Sequence, residues 1–237
     1  VFLSSRTERK GFRMKLLLLT MVVMVVIGCA SAPPVETNRV PEIESGDKAF
    51  AGGDYRGAIE GYNLWLEKYP QDAEAFFMRG RAYNKLREYQ SALDDFEAAY
   101  RYYPKNLSPE VYRCGVLEEL GKYSEARSGL DSLQRHDLFP KLGAYEQFLF
   151  HLLDGKLQNQ AKNYNAALPP LNEAIKLADL NPDIFAHHGS PYIKRLALYQ
   201  RAISYFYLAR HAEMLPDIEA CIALSNQLGQ PIAAGDY

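Results

Sequence analysis

Laid against itself with an offset of 34 residues, the chain places Gly46 over Gly80, Tyr55 over Tyr89, Ala58 over Ala92, Tyr62 over Phe96 and Pro70 over Pro104. A second offset brings Gly121, Tyr123, Ala126 and Leu130 into the same frame, with Gly121 over Gly53. A period of this size marks stacked supersecondary units. Each is too small to bury a core alone and must bury its apolar face against the next.

Each unit reads as two helices. In Ala73 to Leu86 the apolar residues Phe76, Phe77, Ala82, Tyr83 and Leu86 follow helical spacing; Arg87-Glu88-Tyr89 interrupts the run, and Gln90 to Tyr103 resumes it. Pro104 lacks an amide hydrogen and ends the second helix. Gly80, Ala92 and Ala99 are small where backbones must approach, and Tyr83, Tyr89 and Phe96 fill the space between crossings. Residues 73 to 106 therefore resemble the tetratricopeptide repeat, whose pattern is W-x2-L-G-x2-Y…A-x3-F…P.

The resemblance implies an all-α fold, a right-handed superhelical solenoid of about five helical hairpins. The units would be 39–72, 73–106, 107–140, 148–181 and 195–228, forming a repeat domain over 42–228 with a tail at 229–237. Later units depart from the pattern. Trp65 takes a small slot in the first, and Cys114 replaces the glycine of the third. The fourth keeps Gly155, Tyr164, Ala167, Leu171 and Ala174, with a first helix expected to start early, near Lys141. The fifth offers Ala202, Tyr205, Ile218 and Cys221, with Met214 where alanine is expected. An insertion holding Asn181-Pro182 and Gly189-Ser190-Pro191 reads as a surface loop. Pro169, Pro170 and Pro216 are expected near the first turns of their helices, where a missing amide is tolerated, with Pro170 at a depth that could delay or bend its helix.

The N-terminus carries a different signal. Lys15 precedes an apolar run, Leu16 to Ile27, that ends at small residues. About a dozen residues rise roughly 18 Å as a helix and cannot cross a hydrocarbon core of roughly 30 Å, so the segment reads as a secretory signal peptide. Val26-Ile27-Gly28-Cys29 resembles the bacterial lipobox. That resemblance implies cleavage before Cys29, a covalent lipid on its sulfur and amine as the sole attached group, and, with Ala30 following, sorting to the outer membrane facing the periplasm. Residues 1–28 are then the signal, with 1–13 upstream of a true start at Met14. Residues 29–41, rich in Pro and small or polar residues, form a flexible linker.

After Gly28 the chain holds 22 basic and 28 acidic residues, and an acidic body with no basic cluster gives no footprint for nucleic acid. Cys114 and Cys221 have no neighbouring cysteine or histidine and read as packing residues. His187 and His188 are adjacent, so they do not share the spacing of a metal site. Asp94-Asp95 and Glu118-Glu119 read as solvated helix faces. No nucleophile, general base or phosphate-cradling glycine pattern appears. The expectation is a non-enzyme without metal, further cofactor or small-molecule substrate.

In the repeat family the first helices line a concave groove that takes a peptide or helix of a partner. Carried onto this chain, the groove positions are Phe77, Arg81, Asn84 and Lys85; Tyr112, Glu118 and Glu119; Leu152, Lys156 and Asn159; and Tyr199, Phe206 and Tyr207. The family's clamp for a terminal carboxylate needs Lys and Asn where the first unit has Ile43 and Asp47, which disfavours that mode. The reading is an envelope adaptor that binds a protein or peptide, of the kind that serves as an assembly factor or pilotin. The alternative is a scaffold that recruits peptidoglycan hydrolases or proteases.

Overall fold

Five turns of one design close five helical hairpins. Gly53, Arg87, Gly121, Lys162 and Ala209 each lie in the left-handed region, with φ between 56° and 81°. In every case the amide of that residue donates to the carbonyl three back, as in Arg87 N to Asn84 O at 3.0 Å. The next amide donates five back, as in Glu88 N to Tyr83 O at 2.9 Å. This paired arrangement is the Schellman motif, which satisfies the last carbonyls of a helix and reverses the chain.

The computed structural model describes residues 41–186 and 190–227. Cys29, the signal segment, the linker up to residue 40, the His187-His188 pair and the tail lie outside the described residues. The helices are α1 (Pro41–Ala51), α2 (Tyr55–Lys68), α3 (Ala73–Lys85), α4 (Tyr89–Tyr102), α5 (Ser108–Glu119), α6 (Tyr123–Gln134), α7 (Ala144–Gln160), α8 (Tyr164–Leu180), α9 (Pro182–Ala186), α10 (Ser190–Tyr207) and α11 (His211–Gln227). No strand occurs among the described residues. Hairpins α1/α2, α3/α4, α5/α6, α7/α8 and α10/α11 stack in chain order. Each first helix packs on both the second and the first helix of the hairpin before it. The fold is a helical solenoid.

A size rule sets how closely each hairpin closes. Sixteen residues after each small crossing residue stands a large one: Tyr62 after Gly46, Phe96 after Gly80, Leu171 after Gly155. A Cβ added at Gly80 would stand 2.8 Å from the Phe96 ring, at Gly46 2.9 Å from Tyr62, and at Gly155 2.4 Å from Leu171. In the third hairpin the rule is met from the other side. Cys114 is the larger first-helix residue, and Gly129 on α6 makes room, since a Cβ there would stand 2.5 Å from the sulfur. Tyr62, Phe96, Leu130 and Leu171 are all fully buried, each worth roughly 1.5–3 kcal/mol of burial.

Three sequence expectations are corrected. Pro169, Pro170 and Pro216 lie in the second turns of α8 and α11, beyond the amides that are free at a helix start, and both helices run through them. The carbonyls of Asn165, Ala166 and Ala212, which lose their donors, belong to exposed residues that water can serve. The insertion before the fifth hairpin includes the short helix α9, whose Phe185 is fully buried, its ring edge-on to Phe148 at 5.0 Å. The expected loop is thus partly a wedge in the core. Asp95 is 4 % exposed and receives both ends of the Arg79 guanidinium at 2.8 and 2.7 Å, so only Asp94 faces solvent. Adjacent helical positions point about 100° apart, and Asp95 falls on the inner side.

Polar rungs tie three of the four neighbouring pairs of hairpins among the described residues. Arg79 also donates to Asn63 at 2.7 Å, and Arg201, bound to Asp217, donates to Asn172 at 2.7 Å in the same way. Between the third and fourth hairpins the polarity reverses, with Arg127 on α6 binding both Asp131 and Asp154.

The turns give a graded prediction. A β-branched side chain at φ near 71° should cost about 1–2 kcal/mol, so Gly121→Val should lower the urea midpoint clearly. In Ala209→Gly, strain relief of about 1 kcal/mol is offset by about 0.4–1 kcal/mol of extra freedom in the unfolded chain. Its midpoint should stay level or rise slightly.

Candidate protein-binding groove

Because first helices pack on first helices, α1, α3, α5, α7 and α10 form one face of the stack. Along it runs an open cavity of about 790 Å³. Of the groove positions inferred from sequence, Arg81, Asn84, Lys85, Tyr112, Glu118, Glu119, Leu152, Lys156 and Tyr199 line this cavity. Four do not. Phe77 is 7 % exposed and sits between Phe96 and Tyr112 in the core. Asn159 is buried, giving its amide to the Gln200 carbonyl at 2.8 Å and accepting from the Ser204 hydroxyl at 2.8 Å. Phe206 and Tyr207 are exposed at the end of α10, where Tyr207 stacks on Tyr164 at 4.5 Å with the rings 9° from parallel.

Sequence reasoning missed Phe50, Tyr55, Tyr89 and Tyr145, which also line the cavity. Phe50 comes from the last turn of α1, and Tyr55 and Tyr89 open second helices. For Tyr55 and Tyr89 a signal was present in the repeat itself, because tyrosine recurs at 55, 89, 123 and 164 at the start of four of the five second helices.

The floor is made partly of cross-links. Lys156 on α7 donates to Glu118 on α5 at 2.7 Å, with the glutamate side chain 8 % exposed. Glu118 is thus a buried ion-pair partner, and of that acidic pair only Glu119 is exposed, correcting the solvated-face reading. Asn159, Ser204 and Gln200 join α7 to α10 one step further. At the other end Arg81 lies 4.9 Å from the Phe50 ring and 5.5 Å from that of Tyr112, linking α1, α3 and α5. Burial pushes the Tyr112 hydroxyl well up from the ordinary range and raises that of Tyr145, partly opposed in both by the nearby Arg81 charge. Both stay neutral donors at physiological pH. Burial likewise pushes the thiols of Cys114 to about 12 and Cys221 to about 11, which keeps them unreactive. Among the described residues no cluster of His, Cys, Asp and Glu is grouped to hold a metal, and no helix is long and apolar enough to cross a membrane.

Residues 74–106 match the family model of the tetratricopeptide repeat. Small glutamine-rich tetratricopeptide repeat-containing protein 2 of Mycosarcoma maydis is 34% identical over 82 residues, covering 34% of this chain and 23% of its own length. Tetratricopeptide repeat protein 12 of Homo sapiens is 31% identical over 121 residues, covering 51% of this chain and 15% of its own. The chain thus spans less than a quarter of the length of these relatives. Among solved structures, MamA superposes with a TM-score of 0.53 at 15% identity, over 81% of this chain and 94% of its own. YrrB, described as a tetratricopeptide-repeat protein with an unusual peptide-binding site, gives 0.51 at 20% identity, over 79% and 86%. At these identities the likeness is one of fold, and the fold is that of a tetratricopeptide solenoid.

The Glu118–Lys156 rung can be tested directly. Lys156→Met leaves a buried carboxylate without its partner and should cost about 3 kcal/mol. Adding Glu118→Gln should restore most of that loss. A double-mutant cycle by urea unfolding reads the coupling, and additive effects would show that the two residues act independently.

Proposed function

We propose that this chain is a non-catalytic, lipid-anchored adaptor of the cell envelope that holds a peptide or helix of a partner protein in its concave groove. One observation carries the binding half: an open cavity of about 790 Å³ spans four successive hairpins and the middle of α10 in the fifth, walled by aromatic residues and by charges of both signs. Tyrosine and arginine are the side chains most suited to such contacts, since each pairs a broad apolar surface with polar atoms. The anchoring half is supported by Val26-Ile27-Gly28-Cys29 and the apolar run before it. A lipid on Cys29 and a linker rich in Pro and small residues would leave the solenoid free to reach partners near the outer membrane, as an assembly factor or pilotin must. No group in the cavity is arranged as a nucleophile with its base, which favours binding over catalysis.

Two measurements test the halves separately. Cys29→Ala should abolish labelling by radioactive palmitate and shift the protein from the membrane to the soluble fraction. A photo-crosslinker placed at Lys85 or Glu119, both exposed beside the cavity, should capture an envelope protein, whereas one at Lys176, exposed on α8, should not. Charge reversal at Lys85 and Glu119 together should abolish capture. Equal capture from Lys176 would overturn the groove as the binding face.

A further inference from the structure

Arg81 differs from Arg79, Arg113, Arg127 and Arg201, each of which is matched to a carboxylate. Arg79 and Arg201 each grip an aspartate with two donors, Arg113 grips Glu110 at 2.8 Å, and Arg127 holds two aspartates. Arg81 is instead surrounded by rings. Its guanidinium carbon is 4.9 Å from the Phe50 ring, 5.5 Å from Tyr112 and 5.6 Å from Phe77. Among the described residues its one hydrogen bond runs from Nη1 to the Met78 sulfur at 3.2 Å, a weak acceptor. No carboxylate of a described residue pairs with it. A guanidinium has five N–H donors in a rigid fork, so most of this fork is left for whatever enters the cavity it lines.

The surroundings suit an anion. The cavity is lined by Arg81, Lys85, Arg87 and Lys156 against Glu118 and Glu119, and Lys156 is already matched to Glu118. The groove is therefore locally positive on a body that is acidic overall. The aromatic packing fixes the fork before any ligand arrives, which lowers the ordering cost of a bidentate contact. Asn84 and the neutral hydroxyls of Tyr112 and Tyr145 add donors or apolar walls around the same point.

We propose that Arg81 is the anchor for a side-chain carboxylate of an acidic, partly aromatic segment of the partner protein, bound as an internal stretch of chain. This rests on the groove reading above and names the chemistry that the groove selects. A carboxylate takes both ends of the fork, while apolar neighbours in the segment pack on Phe50, Tyr55, Tyr89 and Tyr145.

The test is to pan a library of random peptides, displayed as internal segments, against the immobilised full chain, and to resynthesise the enriched peptides with amidated C-termini. The expected result is a recurrent Asp or Glu flanked by apolar residues. Neutralising that acid (Asp→Asn or Glu→Gln) should weaken binding about 10- to 100-fold, and Arg81→Met should do the same, with no further loss when the two are combined. Arg81→Lys should fall between, and circular dichroism should show both variants folded. Peptides that respond to charge reversal at Lys85 and Glu119 but ignore Arg81→Met overturn the anchor and leave the groove standing. Peptides that bind only with a free C-terminal carboxylate also overturn it. No enrichment, or binding indifferent to every groove change, overturns anchor and groove together.

Discussion

The whole stack depends on how closely the two helices of a hairpin cross. That distance is set by a small residue on the first helix facing a large one on the second, sixteen positions on. Gly46 meets Tyr62, Gly80 meets Phe96 and Gly155 meets Leu171, each so closely that an added methyl would overlap its partner. Where Cys114 breaks the pattern, Gly129 restores the clearance from the opposite helix. With crossings held alike, successive first helices fall on one face, and a groove results from repetition alone.

Much of this was legible because the crossing rule is local in sequence and repeats. Gly80, Ala92, Phe96 and Pro104 identify a hairpin from one segment, and the same slots recur with changed spacing in later units. What could not be read needed knowledge of neighbours. Asp95 looks like half of an acidic surface pair until Arg79, sixteen residues earlier, is placed against it. Phe185 sits in a stretch punctuated by proline and glycine, and its burial depends on Phe148 and Tyr145 of another helix. Pro169 and Pro170 are tolerated because the carbonyls they orphan face water, a matter of exposure that periodicity does not reveal.

The groove was legible in its helices more than in its individual side chains. Slot numbers transfer well for the second and third hairpins, whose lengths match the period; Arg81, Asn84, Lys85, Tyr112 and Glu119 all line the cavity. They transfer less well for the longer α7 and α10. There Asn159 is spent joining helices, and Tyr207 rests on Tyr164. A position facing the concave side can serve a ligand or the adjoining hairpin. The choice turns on whether a polar partner lies within reach, as it does for Lys156 with Glu118 and does not for Arg81.

The rungs between hairpins have a consequence for assembly order. Arg79 and Arg201 reach back to Asn63 and Asn172, whereas Asp154 takes an arginine from the unit before it. Near-identical modules invite permutation, in which a hairpin docks on the wrong predecessor or on that of another molecule. Docked behind α2, Asp154 would meet Asn63 and Ile59 in place of Asp131 and Arg127, and its carboxylate would be buried without a cation. The junction between the third and fourth hairpins thus carries a polar address of its own, which sets the fourth hairpin apart from units that reach back with an arginine.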